Sequence, residues 1–126
     1  MSDARTKPEV TVPDGTPGPY LDITDLVVGD GAEATKGSTA VVHYVGVSHS
    51  TGQQFDASWD RGDTFEFPVG GRRVIAGWDQ GVAGMRVGGR RQLVIPPHLG
   101  YGERGAPGAI APNETLIFVV DLVDVR

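Results

Sequence analysis

The apolar positions between Ser38 and Ser48 fall in an alternating pattern. In the stretch STAVVHYVGVS, Ala40, Val42 and Tyr44 share one side of an extended chain, while Val41, His43, Val45 and Val47 share the other. LDITDLVVG alternates more loosely and ends at glycines, as a strand would. DTFEFPV reads as a short strand stopped by Pro68, and RRQLVIP and TLIFVVDLVDV complete the set. Between the second and third of these, FDASWDRGD is polar and reads as loop. One segment has helical spacing instead. In VIAGWDQGVAGM, Ile75, Trp78, Val82 and Met85 recur at intervals of three and four and so fall on one helix face. Gly77, Gly81 and Gly84 each cost such a helix about 1 kcal/mol relative to alanine. The helix therefore needs packing to survive, and its glycines would let it approach a sheet closely. The pattern predicts an α+β fold of about five antiparallel strands with one short α-helix covering one face.

Residues 1–19 break this pattern. Pro8, Pro13, Pro17 and Pro19, with Gly15 and Gly18, read as a flexible N-terminal arm, so that the domain proper spans residues 20–126. A chain of 126 residues suits one core. The 19 glycines imply many tight turns. With no cysteine, disulfide scaffolds, thiol nucleophiles and cysteine-based zinc sites are excluded. A net charge of -5 argues against broad nucleic-acid contact. The start, MSDARTKPEV, has no signal-like apolar run, and stretches such as LIFVV are too short to span a bilayer. These features lead us to expect a cytoplasmic protein without membrane contact, although a mature chain that had lost its signal would read the same. No spare amphipathic surface is evident, so a monomer is expected.

Most catalytic constellations are absent. His43, His49 and His98 are dispersed and read as ordinary surface or edge residues, with no metal-ligand spacing. GRRVIAGWDQG has glycines but no phosphate-loop pattern, and the basic MRVGGRR reads as a solvated hairpin turn. No cofactor or metal is expected. What remains is a group of rings near loops: Tyr44, Phe55, Phe65, Trp78, Tyr101 and Phe118. Core packing would account for most of them, and an apolar pocket is the sharper reading. Asp56 could partner a tyrosine hydroxyl or lie exposed. Tyr101 is hardest to assign to a core, because it sits in PPHLGYGERGAPGAIAP, residues 96–112, with four glycines and four prolines.

Five segments, in this order and spacing, give the chain a family resemblance: VVHYVG, FDASWDRG, FEFPVGGRRVIAGWDQGVAGMRVGGRRQLVIPP, LGYGERG and IAPNETLIFVVDLVDV. From about Tyr20 to Arg126 the chain resembles the FKBP-type peptidyl-prolyl cis-trans isomerases. That resemblance implies a half-open antiparallel sheet wrapped around one short helix, with a pocket between them. Trp78 would form its floor and Tyr44, Phe55, Phe65 and Phe118 its walls. Val74 and Ile75 would close it near the helix start, and Ile110 would line the loop side. The Ile75 N–H and the Tyr101 hydroxyl would donate to ligand carbonyls. Asp56 would contact Tyr44, with Arg61 beside it. Ala106 and Ala109 stand where the family often has larger residues, so the loop offers less side-chain area to substrate. Trp59 replaces a residue that is often polar, and either a partner contact or packing against the neighbouring loop would use it.

The implied reaction rotates Xaa–Pro bonds in proline-containing polypeptides, without covalent chemistry, with macrolides as further ligands. A proline-recognition or chaperone-like module with weak turnover is the alternative from another functional class.

Overall fold

A computed structural model describes residues 6–126. Six strands form one antiparallel sheet: β1 (Asp22–Val27), β2 (Thr39–Ser48), β3 (Gln54–Ala57), β4 (Phe65–Pro68), β5 (Arg90–Ile95) and β6 (Leu116–Val125). The strand order is β1-β5-β6-β2-β3, with β4 also paired to β2. Two helices interrupt the strands, α1 (Ser58–Arg61) and α2 (Ala76–Val82). The expected α+β architecture is present, with the sheet wrapped around α2 and not closed into a barrel.

The faces of β2 divide as the alternation predicts. Ala40, Val42 and Tyr44 enter the main core with Phe67, Trp78, Val82, Leu93, Ile95, Phe118 and Val120. Val45 and Val47 join a second cluster on the outer face with Ala57 and Ile117. Val10 and Val12 pack on this outer cluster together with Trp59 and Val94. Lys7 forms an ion pair with Asp60 at 2.8 Å, and Arg90 donates to the carbonyl of Thr6. Residues 1–5 of the expected arm lie outside the described residues.

Three expectations need correction. The sheet has six strands rather than about five, because FDASWDRGD is not loop: it holds most of β3 and all of α1. The reason lies in the edge of β2. That edge pairs with β4 up to Val42 and with β3 from Val45 onward. At Tyr44 no strand is available, and the Ser58 hydroxyl of α1 accepts the Tyr44 N–H at 2.7 Å instead. Second, α2 spans seven residues, ending at Val82. Gly84 then turns the chain with φ 90, so Met85 reaches the core from beyond the helix. Third, His43 is not an edge residue. It lies half-buried on a central strand, stacked on Trp59 with ring centroids 4.2 Å apart, and its Nδ1 lies 2.9 Å from the Ser58 hydroxyl.

The close approach of helix and sheet expected from the glycines is present. A Cβ on Gly77 would lie 2.6 Å from Ile95, and one on Gly81 2.7 Å from Leu93. Arg91 of β5 donates to the carbonyls of Gly81 and Ala83, which the helix itself leaves unpaired at its end. Side chains thus fix α2 across the sheet, with Trp78 facing the concave side.

Candidate active site

Between α2, the concave face and the 96–112 loop lies a cavity of about 380 Å³. Its residues come from four strands, α2 and its approach, and the long loop. Tyr44 comes from β2, Phe55 and Asp56 from β3, Phe65 from β4 and Phe118 from β6. Val74 and Ile75 lead into α2, which supplies Trp78, and the long loop supplies Tyr101, Ala106, Ala109 and Ile110. Eleven of the twelve residues expected at the site are thereby brought to one cavity. The exception is Arg61, which does not line it and stands behind Asp56.

The floor is an aromatic box. Trp78 is buried, with ring centroids of Tyr44 at 4.9 Å, Phe118 at 5.3 Å, Phe67 at 5.5 Å and Phe65 at 5.9 Å. Most of these pairs meet edge to face, the arrangement the ring quadrupole favours. The Trp78 indole N–H is buried without a hydrogen-bond partner among the described residues. Phe55 meets Phe118 edge to face at 5.5 Å. Both rings lie across Gly46, where a Cβ would come within 2.6 Å of Phe118 and 2.7 Å of Phe55. Gly46 is therefore what lets this wall form.

One polar group is fixed at the wall. The Tyr44 hydroxyl donates to Oδ2 of Asp56 at 2.6 Å, and Arg61 donates both to that hydroxyl, at 2.8 Å, and to Oδ1 of Asp56. Arg61 also lies over the Tyr44 ring, 5.6 Å from its centroid. Burial raises the Tyr44 pKa above the usual tyrosine range, and the bond to Asp56 adds to this, against the lowering effect of Arg61. The bonds to Tyr44 and Asp56 push the Arg61 guanidinium further up. Burial likewise raises the pKa of Tyr101, helped by the charge of Asp56.

Besides the Trp78 indole N–H, further donors at the cavity stand unpaired. Among the described residues, neither the Ile75 N–H nor the Tyr101 hydroxyl has an acceptor. The carbonyl of Ile75, by contrast, receives the N–H groups of Trp78 and Asp79. The loop carrying Tyr101 is a chain of stapled turns rather than an open arch. The N–H of Gly102 bonds to the carbonyl of Pro97, that of Gly105 to Tyr101, and Ala106 and Ile110 bond reciprocally.

Sequence reasoning missed Arg73 at this site. It lines the cavity, and its only signal was the basic pair in GGRRVI. Trp59, for which two uses were open, packs against His43 and the outer cluster, away from the cavity. Among the described residues, no histidine, serine or threonine lines the cavity. Among the described residues, no group of three or more acidic or histidine side chains could hold a metal ion, and no helix is long and apolar enough to cross a membrane. Such a site can bury an apolar ring and bond flanking carbonyls.

Residues 31–123 match the family described as FKBP-type peptidyl-prolyl cis-trans isomerase. The chain is 61% identical over 120 residues to an FK506-binding protein of Streptomyces anulatus, covering 94% of this chain and 97% of that one. It is 50% identical over 117 residues to a probable FK506-binding protein of Corynebacterium glutamicum, covering 93% and 97%. Among solved structures, AtFKBP13 superposes with a TM-score of 0.78 at 40% identity, over 84% of this chain and 93% of that one. FkpA from Escherichia coli gives 0.76 at 40% identity, over 84% of this chain and 48% of that one. With its aromatic cavity and sheet-wrapped helix, this chain belongs to the FKBP-type peptidyl-prolyl cis-trans isomerases, enzymes that rotate Xaa–Pro peptide bonds.

Proposed function

We propose that catalysis takes place in the aromatic cavity, with the proline ring seated on Trp78. The observation that carries this reading is the pairing of an aromatic box with two free donors, the Ile75 N–H and the Tyr101 hydroxyl. These donors hold the carbonyls flanking the prolyl bond. Val74 and Ile110 bound the ring on either side, and Phe55, Phe65 and Phe118 surround the amide. Asp56 and Arg61 orient the Tyr44 hydroxyl.

Amide resonance sets a barrier of about 20 kcal/mol, and uncatalysed exchange takes tens of seconds or longer. Twisting the bond breaks resonance and removes charge separation that water stabilises in the planar form. Moving the amide into an apolar cavity withdraws that stabilisation. Contacts made only with the twisted bond lower the barrier further. No proton leaves the substrate, so Asp56 acts by holding Tyr44 and not as a general base.

Proline-containing polypeptides, in the course of folding, are the substrates. The relatives' name of FK506-binding protein supports macrolides as ligands of the same cavity, and the small side chains of Ala106 and Ala109 reduce the loop's contact with them. A monomer is supported by the outer face, where Val10, Val12 and Trp59 cover Val45, Val47 and Ile117. The isomerase domain spans residues 20–126, preceded by the arm, and the protein acts in the cytoplasm. A protease-coupled assay with Xaa–Pro tetrapeptides tests the site. Turnover should fall in Tyr101→Phe and be blocked by a macrolide. Full turnover in the presence of saturating macrolide would place catalysis elsewhere.

A further inference from the structure

Two charged side chains line the cavity, Asp56 and Arg73. Asp56 is matched by Arg61 and by the Tyr44 hydroxyl. Arg73 is exposed, and among the described residues its guanidinium makes no ion pair or hydrogen bond. Five other arginines are paired: Arg61 with Asp56, Arg86 with Glu33, Arg90 with Asp121, Arg91 with Asp25 and Arg126 with Glu66. Of the cations without an ion pair among the described residues, Arg73 is the one that lines the cavity.

The surrounding segment reinforces it. Arg72 sits in the left-handed region with φ 60, a conformation uncommon for a residue with a side chain. It is held there by Asp79, whose carboxylate accepts the N–H groups of Gly70 and Arg72 at 3.0 Å each. That carboxylate is thus bonded to backbone and offsets part of the local charge. The stem of Lys36 lies over Gly70, where a Cβ would meet it at 2.9 Å. Neither Lys36 nor the Arg72 side chain has an ion pair among the described residues. The turn clamped to α2 therefore sets Arg73 at the cavity, with two further cations near that turn but not lining the cavity, Arg72 next to it and Lys36 over Gly70, in a chain whose net charge is -5.

We propose that Arg73 is a specificity-determining residue that selects Xaa–Pro polypeptides bearing an acidic side chain beside the prolyl bond. This rests on the cavity being where the prolyl bond turns over. The interaction is local. At ordinary ionic strength charges are screened over about 8 Å, so the chain's overall negative charge acts weakly here while Arg73 acts on the residues next to proline. A single charge pair at the wet rim changes kcat/KM by about three- to tenfold.

The test compares peptides of one Xaa–Pro core carrying Glu or Lys immediately before or after it, with an uncharged peptide as reference. Exchange is read by NMR, because a coupling protease would bring its own charge preference. The intact protein should favour Glu over Lys about three- to tenfold at low salt, and the ratio should approach one near 1 M salt. Arg73→Lys should keep the preference, Arg73→Gln should remove it and Arg73→Glu should invert it. A ratio of one in the unmodified protein, or a ratio unchanged in Arg73→Glu, overturns the charge proposal alone. Failure of the unmodified protein to turn over the uncharged peptide overturns the cavity reading and the proposal with it.

Discussion

The Tyr44 hydroxyl donates to Asp56 at 2.6 Å and accepts from Arg61 at 2.8 Å. A carboxylate and a cation, themselves ion-paired, therefore hold one phenol in a closed set at the wall of an apolar cavity. Neither charged group is free to exchange a proton with substrate without breaking this set. The polar part of the site is a fixed dipole, and the rings around it supply the low dielectric.

This arrangement predicts the pH dependence. Tyr44 and Tyr101 both have pKa values raised above the usual tyrosine range, mainly by burial. A raised pKa means the folded state favours the protonated phenol. The stabilisation is complete below the unfolded value, about 10, and is lost as pH climbs through the folded value. Among the described residues, no histidine lines the cavity. The rate of isomerisation should be flat from about pH 6 to pH 9 and fall only above pH 10. A sigmoid within the flat range would show an ionisation that this site does not contain.

Tyr101→Phe removes a hydroxyl that has no acceptor among the described residues, on a side chain 43% exposed. Stability should hardly change. The loss of one hydrogen bond to substrate should lower kcat/KM about two- to tenfold. Denaturant melts and peptide kinetics on the same sample separate the two effects.

Ser58→Ala tests the edge of β2. Its hydroxyl is the acceptor for the Tyr44 N–H in the gap between β3 and β4, in a fully buried position. Leaving that N–H unpaired should cost about 1–3 kcal/mol. Because α1 carries Arg61, turnover should fall as well, while Ser58→Thr should recover part of the stability if its methyl fits. Denaturant melts check the first effect and peptide kinetics the second.

Gly77→Ala sets two principles against each other. Helix propensity alone predicts stabilisation by about 1 kcal/mol. Packing predicts loss, because the new methyl would lie 2.6 Å from Ile95, and overpacking a core costs about 1–3 kcal/mol. Packing should win, and a companion Ile95→Val should restore part of the loss. Urea melts of the single and double variants decide the sign.

Much of this was legible in the residues. Alternation along 38–48 assigned the side chains of β2 to their correct faces, and spacing placed Ile75, Trp78, Val82 and Met85 on one core although the helix ends at Val82. FDASWDRGD was misread because its order comes from a distant partner: Ser58 completes the hydrogen bonding of Tyr44, fourteen residues away. Local polarity carries no trace of that. His43 was misplaced for the same reason, since its partner Trp59 sits on the misread helix. Arg73 was missed because a basic pair beside a glycine turn reads as solvent-facing until the cavity is seen to open beside it.

Turnover of the prolyl bond in the aromatic cavity around Trp78 is tested most directly by observing exchange and contact together. NMR of the labelled protein with an Xaa–Pro peptide measures cis–trans exchange and the site of contact in one experiment. Exchange should accelerate, with the largest shifts at Tyr44, Asp56, Ile75, Trp78, Tyr101 and Phe118. Acceleration without shifts at these residues, or shifts there without acceleration, would contradict it.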